Sequence, residues 1–243
     1  MKNLLKVILL SYFILISFYA GATENFYIEG KVGLSKPRNI KKPDINTPPD
    51  INTPNNTNSN TDFVGAKLKN SALYSIGVGY NINDRFSLGL SIGYNSNFKY
   101  SSLAQDKKDN NYTTTGKIKA LTTILNGYYN LLDSSNMIIP YVGAGVGFSR
   151  NTLSDRIVFK NDNYFKTIKG ASKTNFAWNL IAGGLINTNK NTQVILEYNY
   201  TDFGKIKSGT IDIDIFSGNS APRTITTTNL RAHSLMIGLR YRF

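Results

Sequence analysis

The chain has 243 residues, with 28 Lys plus Arg against 15 Asp plus Glu and a formal net charge of +13. It has no cysteine and a single histidine, His233, which excludes disulfides, cysteine nucleophiles, thiolate metal sites and any site that needs two histidines. The length suits one domain. The 15 Tyr, 13 Phe and 30 Asn take meaning only from where they fall.

Residues 1–22 read as a secretory signal peptide, with Lys2 and Lys6 before the apolar run Val7 to Tyr19 and a small-x-small site at Ala20-Gly21-Ala22. The apolar run is shorter than the roughly 20 residues a spanning helix needs. Cleavage after Ala22 leaves a single domain over 23–243. No later stretch reaches 18 consecutive apolar residues, so the exported chain crosses a membrane with strands or not at all.

The remaining pattern has period two, and eight segments alternate. In Asn25 to Leu34, Phe26, Ile28, Val32 and Leu34 oppose Tyr27, Glu29, Lys31 and Gly33. In Ser71 to Asn81, Tyr74, Ile76, Val78 and Tyr80 oppose Ser75, Gly77 and Gly79. In Arg85 to Asn95, Phe86, Leu88, Leu90, Ile92 and Tyr94 oppose Arg85, Ser87, Gly89, Ser91 and Gly93. The segment Gly116 to Leu131 has two phases open: Leu121, Thr123, Leu125 and Tyr129 point one way, Ile124 and Tyr128 the other, and a bulge could reconcile them. In Met137 to Ser149 the apolar face is Ile138, Val142, Ala144, Val146 and Phe148. In Thr174 to Ile186 it is Phe176, Trp178, Leu180, Ala182 and Ile186. In Gln193 to Phe203, Val194, Leu196, Tyr198 and Tyr200 oppose Glu197, Asn199 and Thr201. In Leu230 to Phe243, Leu235, Ile237, Leu239, Tyr241 and Phe243 oppose Ser234, Gly238, Arg240 and Arg242.

Short turns at Asn81 to Asp84, Leu132 to Asn136 and Asn187 to Thr192 alternate with four long connections: Ser35 to Asn70, Ser96 to Thr115, Arg150 to Lys173 and Gly204 to Asn229. That spacing predicts an all-β fold, an eight-stranded antiparallel up-and-down transmembrane β-barrel. Its termini and short periplasmic turns lie at one end and its four long extracellular loops at the other. Lipid offers no hydrogen-bond partner, so a sheet crosses only if it closes on itself, and its apolar face then points outward. A soluble barrel would reverse the faces and clothe its surface largely in glycine. Tyr80, Tyr94, Tyr198, Tyr200, Tyr241 and Phe243 fall near strand ends, where headgroup-level aromatic belts belong.

On these residues the chain resembles the eight-stranded outer-membrane barrels of the opacity-protein and OmpA/OmpX-like group, and more closely the small rickettsial surface adhesins of the Adr type. The resemblance is carried by Pro140-Tyr141-Val142-Gly143-Ala144-Gly145-Val146-Gly147, by Leu196-Glu197-Tyr198-Asn199-Tyr200-Thr201-Asp202-Phe203-Gly204, and by the ending His233 to Phe243. Tyr241 and the terminal Phe243 resemble the signal read by the barrel insertion machinery. The resemblance implies a non-enzymatic adhesin of the bacterial outer membrane, acting through its loops on host surface or serum proteins. The alternative is a structural membrane protein or narrow ion channel.

The first loop, 35–70, repeats Pro43-Asp44-Ile45-Asn46-Thr47-Pro48 as Pro49 to Pro54, a composition that favours extended, mobile chain. The loops are basic, which attracts lipopolysaccharide or anionic host surfaces. Apolar stretches at Ile157 to Ile168 and Ile211 to Phe216 read as hairpins extending the strands, as partner anchors, or as both. Candidate ligand contacts are Lys41, Lys42, Tyr164, Phe165, Ile213 and Phe216. Glu29, Lys31, Arg85, Glu197, Arg240 and Arg242 are expected to face the lumen as a salt-bridged plug, with Arg85 and Arg242 nearer the periplasmic rim. No cofactor, metal site, catalytic constellation or nucleic-acid partner is expected, and the barrel reads as a monomer. His233 reads as a hydrogen-bonded residue at headgroup level.

Overall fold

The computed structural model describes residues 25–38, 62–105, 111–207, 211–214, 220–222 and 227–243. The signal segment, most of the first loop with its repeat, Lys41, Lys42 and Phe216 lie outside the described residues. Thirteen strands follow one another: β1 (Phe26–Pro37), β2 (Asp62–Leu68), β3 (Ser71–Asn81), β4 (Phe86–Gln105), β5 (Asn111–Asn130), β6 (Ile138–Leu153), β7 (Arg156–Lys160), β8 (Asn163–Ile168), β9 (Ala171–Asn187), β10 (Thr192–Lys207), β11 (Ile211–Asp214), β12 (Ser220–Pro222) and β13 (Thr227–Arg242). They form a single antiparallel sheet in the order β12-β11-β8-β7-β5-β6-β9-β10-β13-β1-β3-β4-β2, and β4 pairs with β5 as well.

The expectation of eight strands joined by four long loops is thereby corrected: the sheet has thirteen strands. Five of them, β2, β7, β8, β11 and β12, fall within the long connections, where β7, β8 and β11 take the place of the hairpin extensions expected at Ile157 to Ile168 and Ile211 to Phe216. The connection expected over Ser96 to Thr115 is largely ladder too, since Ser101 pairs with Thr115, Ser102 with Thr114 and Leu103 with Thr113. The β-branched run Thr113 to Thr115 favours strand. Away from the bilayer neither face need be apolar, so alternation is lost while pairing continues. β7 pairs with β5, β8 with β7, β11 with β8 and β12 with β11, each taking up the ladder where β6, β9, β10 and β13 leave it, so the spanning strands are prolonged end-on at the loop end.

The two faces separate cleanly in the spanning part. Leu235, Ile237 and Leu239 are 60%, 55% and 59% exposed, whereas Met236 and Arg240 beside them are buried. Ile28, Ile76, Leu90, Leu125, Val146 and Leu196 are exposed in the same sense. An exposed apolar belt of this extent, backed by a buried polar face, inverts the arrangement of a soluble barrel. β5 resolves the open phase. Leu121, Thr123 and Leu125 face out, and Ile118, Ala120, Thr122, Ile124, Asn126 and Tyr128 face in, with no bulge on β5 itself.

Two irregularities adjust the phase near the loop end. Between Asn95 and Phe98 the register of β4 slips, which turns Phe98 inward and Lys99 outward. Between Asp202 and Lys205 the register of β10 slips at Gly204, whose φ of 71° suits only glycine without strain. Three backbone groups at this second bulge find side-chain partners. Asp202 Oδ1 accepts from the Gly204 N–H at 2.8 Å, Asn151 Nδ2 donates to the Phe203 carbonyl at 2.7 Å, and Asn175 Nδ2 donates to the Lys205 carbonyl at 2.8 Å. Phe98 and Phe203 then meet edge to face at 6.4 Å within an apolar cluster that includes Ile118, Leu153 and Leu230.

At the opposite end asparagines build the turns. Asn83 Oδ1 accepts from the Arg85 and Phe86 N–H groups, and Asn189 Oδ1 from those of Asn191 and Thr192. These are Asx turns, in which the side chain stands in for a backbone acceptor. Asn187 Nδ2 reaches the carbonyls of Ser134 and Asn136, tying two turns together.

Candidate functional site

The interior is organised around four charges. Strand register sets Glu29 on β1 directly opposite Arg240 on β13. Glu29 Oε2 accepts from Arg240 Nη2 at 2.8 Å and Nε at 3.1 Å. Lys31 Nζ bridges the two acids, at 2.8 Å from Glu29 Oε1 and 2.9 Å from Glu197 Oε2. The Tyr141 hydroxyl donates to Glu197 Oε2 at 2.8 Å, and the Arg240 guanidinium lies 3.9 Å from the Tyr27 ring centre. All four charged side chains are buried. The cluster is neutral in sum, and each ion has a partner, the condition under which buried charge is tolerated. The lumen is too narrow for such groups beside other large side chains. A Cβ on Gly79 would fall inside the Tyr27 ring, and one on Gly183 would press on the Tyr141 ring at 2.6 Å.

Of the six residues expected to share the lumen, the structure brings together Glu29, Lys31, Glu197 and Arg240. Arg85 lies at the turn end, half-exposed, with Nη2 2.9 Å from Asp133 Oδ1 and Nη1 donating to the Leu131 carbonyl. Arg242 Nη2 donates to the Lys190 carbonyl at 3.0 Å. Tyr27 and Tyr141, which complete the network, sit on the inward phase as the alternation places them, but were not named with the charges because neither carries one to be paired. The apolar content of the lumen was missed as well. Besides the cluster around Phe98 and Phe203, a second one joins Tyr128, Ile139, Tyr141, Ile181, Leu185 and Ile195.

Rings mark both edges of the exposed apolar belt. At the turn end Phe26 meets Tyr80 at 4.9 Å, Phe86 meets Tyr129 at 4.9 Å and Tyr241 meets Phe243 at 5.3 Å. Nearer the loops, Trp178 meets Tyr200 at 5.6 Å and Tyr200 meets His233 at 5.0 Å. His233 Nδ1 and the Tyr198 hydroxyl are 2.6 Å apart. Next to this level, outward-facing cations collect. Lys99 stands directly opposite Lys117, and the Lys69 N–H donates to the Lys99 carbonyl. Lys69, Lys99, Lys117, Lys119 and Arg150 are exposed and have no acidic partner among the described residues.

Beyond them stand the added strands. Tyr164 on β8 is partly exposed; its ring packs edge to face on Phe159 of β7 at 6.2 Å, and its hydroxyl lies 2.6 Å from Thr167 Oγ1. Phe165 lies on β8 and Ile213 on β11, and the pairing of Ile213 with Thr167 draws these two segments together. The base of the β7–β8 hairpin is tied by Asp155, which accepts from the Gly170 N–H at 2.8 Å and pairs with Lys169 Nζ at 3.1 Å. The backbone N–H first, and the ammonium second, hold the Asp155 carboxyl below the usual aspartate range.

An antiparallel sheet with an exposed apolar belt, ring-lined edges and a salt-bridged interior is that of a transmembrane β-barrel protein. The outer membrane protein beta-barrel domain family matches residues 7–243, and the chain belongs to that family. It is 25% identical over 256 residues to the outer membrane protein PagN of Salmonella typhimurium, covering 100% of both chains. It is 31% identical over 187 residues to a Rickettsia conorii protein named as a putative adhesin, covering 75% of this chain and 68% of that one. Among solved structures it resembles Neisserial surface protein A in fold, at a TM-score of 0.53 and 16% identity, covering 92% of this chain and 99% of that one. The protein is thus a β-barrel protein of the bacterial outer membrane, related to rickettsial proteins named as putative adhesins.

Proposed function

We propose that this protein is a surface adhesin of the rickettsial Adr type, which binds host cell-surface or serum proteins through its loop end. The observation that carries the reading is the growth of the strands beyond the lipid-facing belt. β7, β8, β11 and β12 form a platform over the outer ends of β6, β9, β10 and β13, and the interior beneath is filled by a salt-bridge network and two apolar clusters. A filled interior favours anchoring and display over solute passage. The relationship to proteins named as adhesins supports the same reading. Contact is assigned to Tyr164, Phe165 and Ile213 on the platform, together with Lys41, Lys42 and Phe216. Aromatic and aliphatic anchors supply binding energy there, and lysines steer an acidic partner.

The exposed cations Lys69, Lys99, Lys117, Lys119 and Arg150, which have no acidic partner among the described residues, suit the phosphates of lipopolysaccharide, since like charges set opposite one another are relieved by a bound anion. Signal-peptide removal near Ala22, a monomeric state, and entry through the barrel insertion machinery by way of Tyr241 and Phe243 complete the proposal.

The test is binding of purified host surface and serum proteins to the refolded barrel, against a version with residues 39–61, 154–170 and 208–226 replaced by short Gly/Ser turns. Both proteins must show the heat-dependent electrophoretic shift of a folded barrel. Saturable binding lost in the short version supports the adhesin. Equal binding, or none across a broad panel, refutes it.

A further inference from the structure

Five strands at the loop end are prolongations of others. β7, β8, β11 and β12 run on from β6, β9, β10 and β13. β2 lies along β4 where β3 leaves it, from Leu68 opposite Tyr100 to Asp62 opposite Gln105. β4 and β5 reach the same height by their own length. β1 alone has no continuation among the described residues. Its ladder on β13 ends with Pro37 opposite Ala232 and with the Arg38 N–H donating to the Arg231 carbonyl, and its ladder on β3 ends with Ser35 opposite Ser71. Beyond Arg38 there is therefore a place one strand wide. On one side stands β2, which pairs with β4 alone. On the other stand Thr227 to Leu230 of β13 and then β12, which pairs with β11 alone.

An open edge presents its N–H and C=O groups as a template for a further strand. Counted through the antiparallel ladders from β2 round to β12, the two edges run in the same direction, so one entering strand lies antiparallel to both. β2 is the longer edge, with seven residues against three. The sequence that follows β1 is ill suited to the place, since Pro43, Pro48, Pro49 and Pro54 have no N–H to give to a ladder. The mouth of the place is basic. Lys36, Arg38, Lys67 and Lys69 are exposed, and none has an acidic partner among the described residues. Behind it Leu68 and Leu230 belong to the buried apolar cluster at the loop end.

We propose that this place receives one extended segment of a partner protein as an added strand, apolar on its inward phase and acidic at the end that enters beside Lys36 and Lys67. Backbone hydrogen bonds to β2 supply the affinity, and the side chains on alternate phases supply the choice of partner. Leu68 and Leu230 meet the inward phase, and the cations at the mouth select an acidic segment and set the end that enters first. The inference rests on the adhesin reading and gives its partner a chemistry: an extended, acidic segment read through its backbone.

The probe is a fluorescein-labelled nine-residue peptide in which valine alternates with glutamate in the first half and with threonine in the second. Its binding to the refolded full chain in detergent is read by fluorescence anisotropy. The expected result is saturable binding that is lost when alternate backbone nitrogens of the peptide are methylated. Binding should weaken at least about tenfold at low salt in the double variant Lys36→Glu, Lys67→Glu. The chain has no cysteine, so Lys67→Cys offers a single thiol. A peptide with an activated cysteine near its start should couple to it and not to Lys160→Cys on β7. No saturable binding, or binding indifferent to methylation, overturns the proposal. Binding that appears only after residues 39–61 are replaced by a short Gly/Ser turn also overturns it, because the chain then fills the place itself. Should Lys67→Cys fail to fold, the methylated peptide on the unmodified chain decides. Host-protein binding without peptide capture removes the added strand and leaves the adhesin; peptide capture without host-protein binding does the reverse.

Discussion

Replacing Glu29 by glutamine removes the charge that holds two cations in the lumen. Glu29 Oε2 takes both Arg240 contacts and Oε1 takes Lys31. Lys31 keeps Glu197 in the variant, but Arg240 keeps no acid within reach among the described residues. Breaking a buried pair by removing one partner costs about 3–5 kcal/mol, because the remaining ion stays buried without compensation. Asp133→Asn is the control. It removes the partner of Arg85 in a half-exposed pair at the turn end, where such contacts contribute about 0–1 kcal/mol. Both are measured by urea unfolding of the refolded barrel in lipid vesicles, read by Trp178 fluorescence and by the heat-dependent gel shift. Adding Arg240→Met to Glu29→Gln should recover much of the loss, since the stranded cation is then gone. If Glu29→Gln unfolds at the same urea concentration as Asp133→Asn, the four-charge network does not stabilise the interior and the reasoning fails.

Gly204→Ala puts a Cβ into a left-handed backbone and against Asn175 at 2.6 Å, so it should destabilise the barrel by about 1–3 kcal/mol in the same unfolding assay. Ile237→Arg places a charge on the exposed apolar belt and should cost about 2–4 kcal/mol, or block insertion into vesicles if the residue lies near mid-membrane. Ile237→Leu should be silent there. Asp155 binds its proton less readily in the folded chain than in the unfolded one, so its contribution is full above the ordinary carboxyl value of 3.8 and is lost as pH falls below it. Proteolysis at segment 154–170 should accordingly rise in acid below that value, and Asp155→Asn should show the higher rate already at neutral pH.

What could be read beforehand was governed by the bilayer. Where one face meets lipid and the other a packed lumen, period two is enforced, and β1, β3, β10 and β13 were legible residue by residue. The acids Glu29 and Glu197 were legible as the few carboxylates on the inward phase. β5 was not, because the lumen is itself partly apolar: Ile118, Ile124 and Tyr128 face inward beside Asn126, so both faces carry hydrophobic residues. The β4 bulge hid Phe98 and Lys99 by exchanging their faces. Above the lipid the constraint ends, and with it the alternation. Ser101 to Leu103 and Thr113 to Thr115 pair through their backbones alone, a bond pattern that side-chain periodicity does not record. β7, β8 and β11 were legible as hairpin extensions from their apolar runs, but the pairing of β7 with β5 and of β11 with β12 is announced by no spacing.

The arrangement of the sheet also bears on mechanical load. The termini lie with the short turns at one end, and the platform stands at the other, joined to β5 through an unbroken series of antiparallel ladders. A tether pulling on the platform away from the membrane acts along the strands, so the cross-strand hydrogen bonds are sheared together instead of being peeled one at a time. β5, which pairs with β4 and β6 over most of its length and with β7 at its outer part, takes up the pull and spreads it to both neighbours. Under such traction the first ladder to open is that of β7 with β5, four residue pairs from Tyr112 to Thr115, while the platform stays joined through the chain to β6, β9 and β10.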